Sequence, residues 1–190
     1  PKCGQKVQET SPWSYFALFS RIVGGHQVSL KRRQKHFCGG TIASAQWQLT
    51  APWTGTYCNT CMSLQGKQDL GLRESSEQTL SNLSSSTPSL TPMNHDIALL
   101  KLDGTFNFSA SVLPACLPQP REKFEAGYIC TACGWGHLKK NGLLPQVLHE
   151  VNLPILNSRE CSRALSALKK PIQGDTIMCA GFPDGGRAAC

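Results

Sequence analysis

Short apolar runs separated by Gly, Pro and Asn constrain the fold of this 190-residue chain more than any other feature. Examples are residues 41–42, 97–102 and 151–156. Runs of this kind, bounded by turn residues, are typical of β-strands, and no long stretch with a 3.6-residue period competes with them. The pattern predicts an all-β chain with one short helix over residues 158–168, capped by Ser158 and ended by Lys169-Lys170-Pro171.

One segment departs from this pattern. Residues 80–92 are rich in Ser, Thr and Pro. Such a composition offers little apolar surface to bury, so it has little tendency to become ordered. We therefore expect a loop over these residues.

Ten cysteines and two N-glycosylation sequons indicate an oxidising compartment. The sequons are Asn82-Leu83-Ser84 and Asn107-Phe108-Ser109, which predict glycans on Asn82 and Asn107. No apolar run approaches the ~20 residues that a membrane-spanning helix needs. The sequence therefore predicts a secreted, extracellular protein without a membrane span.

The formal net charge of +7 raises the question of a polyanionic partner. The basic residues form short separate runs, namely Lys31-Arg32-Arg33 with Lys35, Lys139-Lys140 and Lys169-Lys170. No basic helix and no interleaving of arginine with aromatic residues accompanies them. This pattern favours a solvated surface, and no nucleic-acid partner is expected.

A series of motifs in a fixed order carries a family resemblance. The motifs are Arg21-Ile22-Val23-Gly24-Gly25, Cys38-Gly39-Gly40-Thr41-Ile42, Trp47-Gln48-Leu49-Thr50-Ala51, Asp96-Ile97-Ala98-Leu99-Leu100-Lys101-Leu102, Ala115-Cys116-Leu117-Pro118 and Gly134-Trp135-Gly136. Together they resemble the chymotrypsin-like and trypsin-like serine proteases. Residues 124–130, 148–156 and 181–187 are most similar to the ovochymases, secreted egg-associated members of that family.

The resemblance implies a double antiparallel β-barrel with the catalytic cleft between the barrels, the second barrel being incomplete in this chain. Residues 1–21 would form a propeptide and residues 22–190 a truncated protease domain. Within that domain, residues 22–115 would form the first barrel and residues 116–190 part of the second. An activating protease would cut between Arg21 and Ile22, and the implied substrates are proteins or peptides, with no cofactor.

The resemblance also assigns the catalytic positions, and here the chain departs from the family. Asp96 matches the carboxylate that orients the catalytic histidine, but Trp53 stands where that histidine belongs. An indole N–H is only a donor, so it cannot accept a proton from a serine. His95 does not replace the base, because adjacent residues on an extended strand point to opposite faces.

Two further departures lie near the end of the sequence. The family's Gly-Asp-Ser-Gly-Gly motif, with the nucleophilic serine, would follow Cys190, where this sequence ends. Ala188 stands where trypsin-like members have an aspartate, so it offers a basic substrate side chain no countercharge. We expect the chain as given to be inactive, although its family consists of serine endopeptidases.

Disulfide pairs are implied by the same resemblance. They are Cys3 with Cys116, Cys161 with Cys179, and Cys38 with either Cys58 or Cys61. The family partners of Cys130 and Cys190 would lie downstream, and Cys133 occupies a place usually taken by Ala or Thr.

The C-x-x-C pairs Cys58/Cys61 and Cys130/Cys133 also fit zinc-ligand spacing. The resemblance puts these pairs on different barrels, so no metal is expected.

Three functions remain open from the sequence. The chain is an inactive member of the protease family, a fragment of an active secreted endopeptidase, or a non-catalytic binding module that uses the cleft or the basic surface. Trp53 and Ala188 favour the first.

Overall fold

The computed structural model describes residues 25–51, 61–86, 97–138, 142–166 and 177–182. Within these ranges the elements in chain order are β1 (Gln27–Arg32), β2 (Lys35–Ser44), β3 (Trp47–Thr50), β4 (Cys61–Gln65), β5 (Gln78–Ser86), β6 (Ala98–Asp103), β7 (Ile129–Gly134), β8 (His149–Pro154) and α1 (Ser158–Ser166). The prediction of a β-rich fold with one short helix is confirmed.

The described residues belong to two units. The first contains residues 25–51, 61–86, 97–117 and 146–148. The second contains residues 118–138, 142–145, 149–166 and 177–182.

The first unit is built on a closed antiparallel barrel with the strand order β1-β2-β3-β6-β5-β4. Closure follows from β1, which pairs with β2 on one side and β4 on the other. Strands β2 and β3 approach closely at Gly40, where a Cβ atom would lie 2.9 Å from the Leu49 carbonyl oxygen. A larger residue at this position would have to push the two strands apart.

The barrel encloses one apolar cluster, formed by Val28, Leu30, Ile42, Leu102, Phe106 and Val112. Each of these side chains is at most 3% exposed. Burying a side chain of this size contributes about 1.5–3 kcal/mol relative to leaving it in water. The cluster therefore supplies much of the stability of the barrel.

Part of the predicted loop over residues 80–92 is a strand. Residues 80–86 belong to β5, which pairs with β4 on one side and β6 on the other. The ladder with β4 includes Leu80 and Ser81, and the ladder with β6 runs from Ser81 to Ser86 with a register shift between Asn82 and Ser84. These hydrogen bonds hold the segment in an extended conformation that its serine-rich composition does not favour by itself. The prediction of a loop was wrong for residues 80–86, and residues 87–92 lie outside the described part.

The second unit contains the antiparallel pair β7–β8 and helix α1. Asn157 caps the helix, because its Oδ1 accepts a hydrogen bond from the Glu160 amide at 2.9 Å and its own amide donates to Glu160 Oε2 at 3.3 Å. This reciprocal arrangement is a capping box. Asn157 therefore replaces Ser158 as the cap that the sequence predicted.

Candidate active site

Strands β3 and β6 pair at the ends from which the two predicted catalytic segments continue. The two strands are antiparallel, and Thr50, the last residue of β3, is paired with Ala98, the first residue of β6. Trp53 follows Thr50 by three residues in the sequence, and Asp96 precedes Ala98 by two. Both of these predicted site residues lie outside the described part of the chain, but the strand ends that lead to them are hydrogen-bonded neighbours.

The end of β3 is held by β2. Thr50 Oγ1 donates a hydrogen bond to the Gly39 carbonyl at 2.7 Å. Cys38 Sγ lies 3.7 Å from the same hydroxyl. These contacts tie the end of β3 to β2.

Cys38 carries a free thiol, which corrects the disulfide prediction for this residue. Cys38 is paired with Leu30 of β1, whereas Cys61 is paired with Arg32 on the other side of β1. Residues two strands apart are separated by about 9–10 Å, given a strand spacing of about 4.8 Å. A disulfide needs a Cα–Cα distance below about 7 Å, so Cys38 and Cys61 cannot be joined in this barrel.

Other cysteines are bonded. Cys161 and Cys179 form a disulfide with a Cα–Cα distance of 5.4 Å. It joins α1 to the segment that contains Ala180, and Ala180 forms an isolated β-bridge with Ile155. Cys61 and Cys116 are each in a disulfide bond. The predicted partners Cys3 and Cys58 lie outside the described residues, so the pairing of Cys3 with Cys116 stays a prediction.

The two predicted glycosylation sites have different environments. Asn107 is exposed, and only its backbone is held, by Gln78. The Asn82 side chain lies in the barrel, where the residue is 8% exposed and its Oδ1 accepts a hydrogen bond from Ser63 Oγ at 2.7 Å. An N-linked glycan is attached to Nδ2, so a glycan on Asn82 would have to leave from a side chain that is buried in the barrel.

The remaining predicted positions are not described. These are the activation residues Arg21 and Ile22, the pocket residue Ala188, and Cys190. Their proposed roles rest on the sequence.

A buried ion pair, which the sequence did not indicate, lies in the loop between β4 and β5. Lys67 is 5% exposed, and its Nζ donates to Glu77 Oε2 at 2.7 Å and to the Leu72 carbonyl. Burial alone would raise the pKa of Glu77, but the hydrogen bond and charge of Lys67 outweigh this effect, and the pKa lies below its usual 4.5. The ammonium group of Lys67 therefore connects two parts of the loop between β4 and β5, at Leu72 and at Glu77.

Several basic residues lie together at the turn between β1 and β2, where the sequence pattern favoured no more than a solvated surface. We call residues 31–35 the basic hairpin tip. Arg33 and Gln34 form the turn with φ angles of 49° and 67°, and Arg32 is directly opposite Lys35. Arg32, Arg33 and Lys35 are exposed, whereas Lys31 is only partly exposed.

Two negative findings concern the described residues. None of their helices is long and apolar enough to cross a membrane. They also contain no group of three or more His, Cys, Asp or Glu side chains arranged to hold a metal ion.

Comparison with known proteins gives one family. The sequence profile of the family described as Trypsin matches residues 20–190. Mouse Ovochymase-2 is 50% identical over 206 aligned positions, which include the whole of this chain and 34% of the relative. The chain thus spans about a third of the length of that protein.

Solved structures with the same fold include human heparin binding protein. The TM-score is 0.69 at 30% identity, and the alignment covers 73% of this chain and 63% of that protein. A mutant of the same human protein gives a TM-score of 0.67 at 31% identity, with 72% and 62% of the two chains covered.

Proposed function

Since this chain belongs to the trypsin family of serine proteases, we propose that it is a secreted domain of that family that does not hydrolyse peptide bonds. The observation that carries the proposal is the pairing of Thr50 with Ala98. It makes the segments that lead to Trp53 and Asp96 neighbours, as a triad requires of its base and its carboxylate. The acid position is kept, whereas the base position holds an indole.

The chemical reason is specific to the proton transfer. In a serine protease the imidazole takes the proton from the serine hydroxyl and later gives it to the leaving amine. The indole nitrogen of Trp53 carries a hydrogen and has no basic lone pair, so neither step is available to it. Loss of one triad member lowers turnover by about 10⁴- to 10⁶-fold.

A second sequence feature supports the proposal. Ala188 stands where trypsin-like members have a specificity aspartate. A substrate arginine or lysine would bury its charge there without the charge-assisted hydrogen bond that normally holds it. Binding of the usual substrates would be weakened as well as their hydrolysis.

The direct test is labelling of the full chain, cleaved after Arg21, with a fluorophosphonate probe, together with hydrolysis of arginyl and lysyl peptide substrates. We expect no labelling and no hydrolysis above the uncatalysed rate. Trp53→His is the matched variant, because it returns an imidazole to the proposed base position. Both proteins are expressed from the full-length transcript, since the family's nucleophilic serine would follow Cys190. Labelling of the unaltered chain would overturn the proposal.

A transcript read through this region tests the alternative that the chain is a fragment of an active endopeptidase. We expect codons for Pro52-Trp53-Thr54. Codons for Ala-His-Cys at these positions would restore the base and favour the active enzyme.

Cleavage between Arg21 and Ile22 by an activating protease belongs to the same proposal. In the family, the new amino group of Ile22 becomes useful when it is buried against a carboxylate. N-terminal sequencing of the secreted protein after reduction tests the cleavage, because the predicted disulfide of Cys3 with Cys116 would keep the propeptide attached. We expect an N-terminus at Ile22, and its absence from mature material would contradict the cleavage.

The second candidate is a binding module for a sulfated polysaccharide. Two observations favour it: the exposed cations of the basic hairpin tip, and structural similarity to a human protein named for heparin binding. This function needs no catalytic base, so it is compatible with Trp53. Retention on immobilised heparin, compared with an unsulfated polysaccharide support, is the first test.

A further inference from the structure

We propose that Arg32, Arg33 and Lys35 of the basic hairpin tip form the site at which this domain binds the sulfate groups of an extracellular polysaccharide. The inference rests on the second candidate function and assigns its location. The first reason is exposure. All three side chains are exposed, and they lie within four consecutive residues at the end of one hairpin.

The second reason is the absence of an internal counterion. In the described part of the chain the salt bridge that forms is Lys67 with Glu77, and none of the three cations has a carboxylate within 4.0 Å there. A solvated guanidinium or ammonium group that is free of an internal partner can give its hydrogen bonds to a ligand at little cost. The tip is thus available to an external anion.

The third reason is the register of the hairpin. Arg32 and Lys35 are directly opposite each other, so their side chains share one face of the ribbon. Like charges in this position repel, and an anion between them would replace the repulsion with attraction. The turn residue Arg33 adds a third cation beside the pair.

Lys31 makes a useful contrast within the same run. It is paired with His36 on the opposite face of the hairpin, and it is only partly exposed. Its charge contributes to lowering the pKa values of His36 and Glu77, so it acts on neighbours inside the barrel unit. We therefore exclude Lys31 from the site.

The shape of the tip favours a flexible linear polyanion over a nucleic acid duplex. Proteins that bind duplex DNA commonly neutralise about 6–10 phosphates, whereas this tip offers three exposed cations. A sulfated polysaccharide carries closely spaced charges on a narrow chain that can follow a convex turn. Secretion, part of the proposed function, would bring the domain to such polysaccharides.

The test compares two variants of equal net charge by titration with heparin at low and at physiological salt. Each variant loses three cations, so the formal charge falls from +7 to +4 (7 − 3). The hairpin variant carries Arg32→Gln, Arg33→Gln and Lys35→Gln. The control carries Lys123→Gln, Arg159→Gln and Arg163→Gln, all at exposed positions of the second unit.

We expect the hairpin variant to bind heparin about tenfold to a hundredfold more weakly than the unaltered protein. Each exposed pair of a cation with a sulfate multiplies affinity by about twofold to fivefold, and the variant loses three such cations. The control should change affinity by less than about threefold, and only through the general field of the protein. The unaltered protein should show the steepest decrease in affinity with salt. Heparin should also raise its melting temperature and leave that of the hairpin variant nearly unchanged.

Three outcomes would overturn the inference. Equal weakening of both variants would show that net charge, and not the tip, governs binding. Equal or tighter binding of a DNA duplex would remove the assignment to sulfated polysaccharide. No binding by the unaltered protein would also end the binding-module candidate, while the proposal of a non-catalytic domain would still be decided by the fluorophosphonate probe alone.

Discussion

Replacement of Lys67 by methionine tests the buried ion pair most directly. The substitution keeps a long apolar stem but removes the ammonium group that donates to Glu77 Oε2 and to the Leu72 carbonyl. The side chain of Lys67 is 3% exposed and that of Glu77 is 23% exposed. The variant would therefore leave a partly buried carboxylate without its cation and the Leu72 carbonyl without this donor.

The expected loss of unfolding free energy follows from the exposed fractions of the two side chains. Removing one partner of a fully buried pair costs about 3–5 kcal/mol. Because Glu77 keeps some contact with water, which screens its charge, we expect Lys67→Met to lower the free energy of unfolding by about 2–4 kcal/mol. Lys67→Met combined with Glu77→Gln should recover about half of this loss, since no unpaired charge then remains.

The assay is urea unfolding of the full chain, followed by circular dichroism, at neutral pH and at pH values below 4.5. The pKa of Glu77 is lowered in the folded protein. The pair therefore stabilises the fold above about pH 4.5, and its contribution is lost as the pH falls through the lowered pKa. The difference between the unaltered chain and Lys67→Met should shrink correspondingly at acidic pH.

Arg73→Met is the matched control, because Arg73 is an exposed cation of the same loop. It should change stability by no more than about 0.5 kcal/mol. A loss below about 1 kcal/mol for Lys67→Met, or no recovery in the double variant, would refute the conclusion that the buried pair holds this loop.

Three further expectations concern modification and pH. Site-specific glycan analysis of the secreted protein should find occupancy at the exposed Asn107 and little at Asn82, whose side chain is buried; the reverse would contradict the described strand β5. Cys38 should react with iodoacetamide in the folded protein, because its thiol is free and partly exposed. Mass spectrometry after the treatment measures this, and an unmodified Cys38 would contradict the prediction. Burial, and secondarily the charge of Lys31, lower the pKa of His36 below 6.5. Because the unfolded chain then takes up a proton first, stability should decrease as the pH falls below about 6.5. The decrease should be smaller in His36→Gln, and an equal decrease in both proteins would contradict this prediction.

The fold was largely predictable because local pattern and tertiary structure agree in most strands. Residues 97–102 combine apolar content with turn residues at their ends, and most of this run forms β6. Residues 80–86 show where the agreement fails, because their pairing partners β4 and β6 are distant in sequence. The composition of one segment carries no information about the hydrogen bonds that it forms with strands elsewhere in the chain.

The candidate site was predictable to a smaller extent. The resemblance assigned positions to Asp96 and Trp53, which lie outside the described residues, and the register of β3 and β6 pairs the strand ends from which their two segments continue. It failed for Cys38, because a disulfide depends on which strands are neighbours and not on the presence of two cysteines in the sequence. The burial of Lys67 could not be predicted from the sequence either, because lysine is rarely buried and only the folded loop encloses this side chain.

The residues that form the apolar core of this barrel are separate from the positions that the proposed function concerns, and this separation would let the fold persist with Trp53 at the proposed base position. The apolar cluster includes Val28, Ile42 and Leu102, which lie within the strands. Trp53 follows β3 in the sequence, outside the strands that supply these members of the cluster. The same reasoning applies to the basic hairpin tip, where cations are added beyond the barrel core at the cost of local repulsion only. A domain built in this way can lose hydrolysis and gain an anion-binding surface without any change in the residues that fold it.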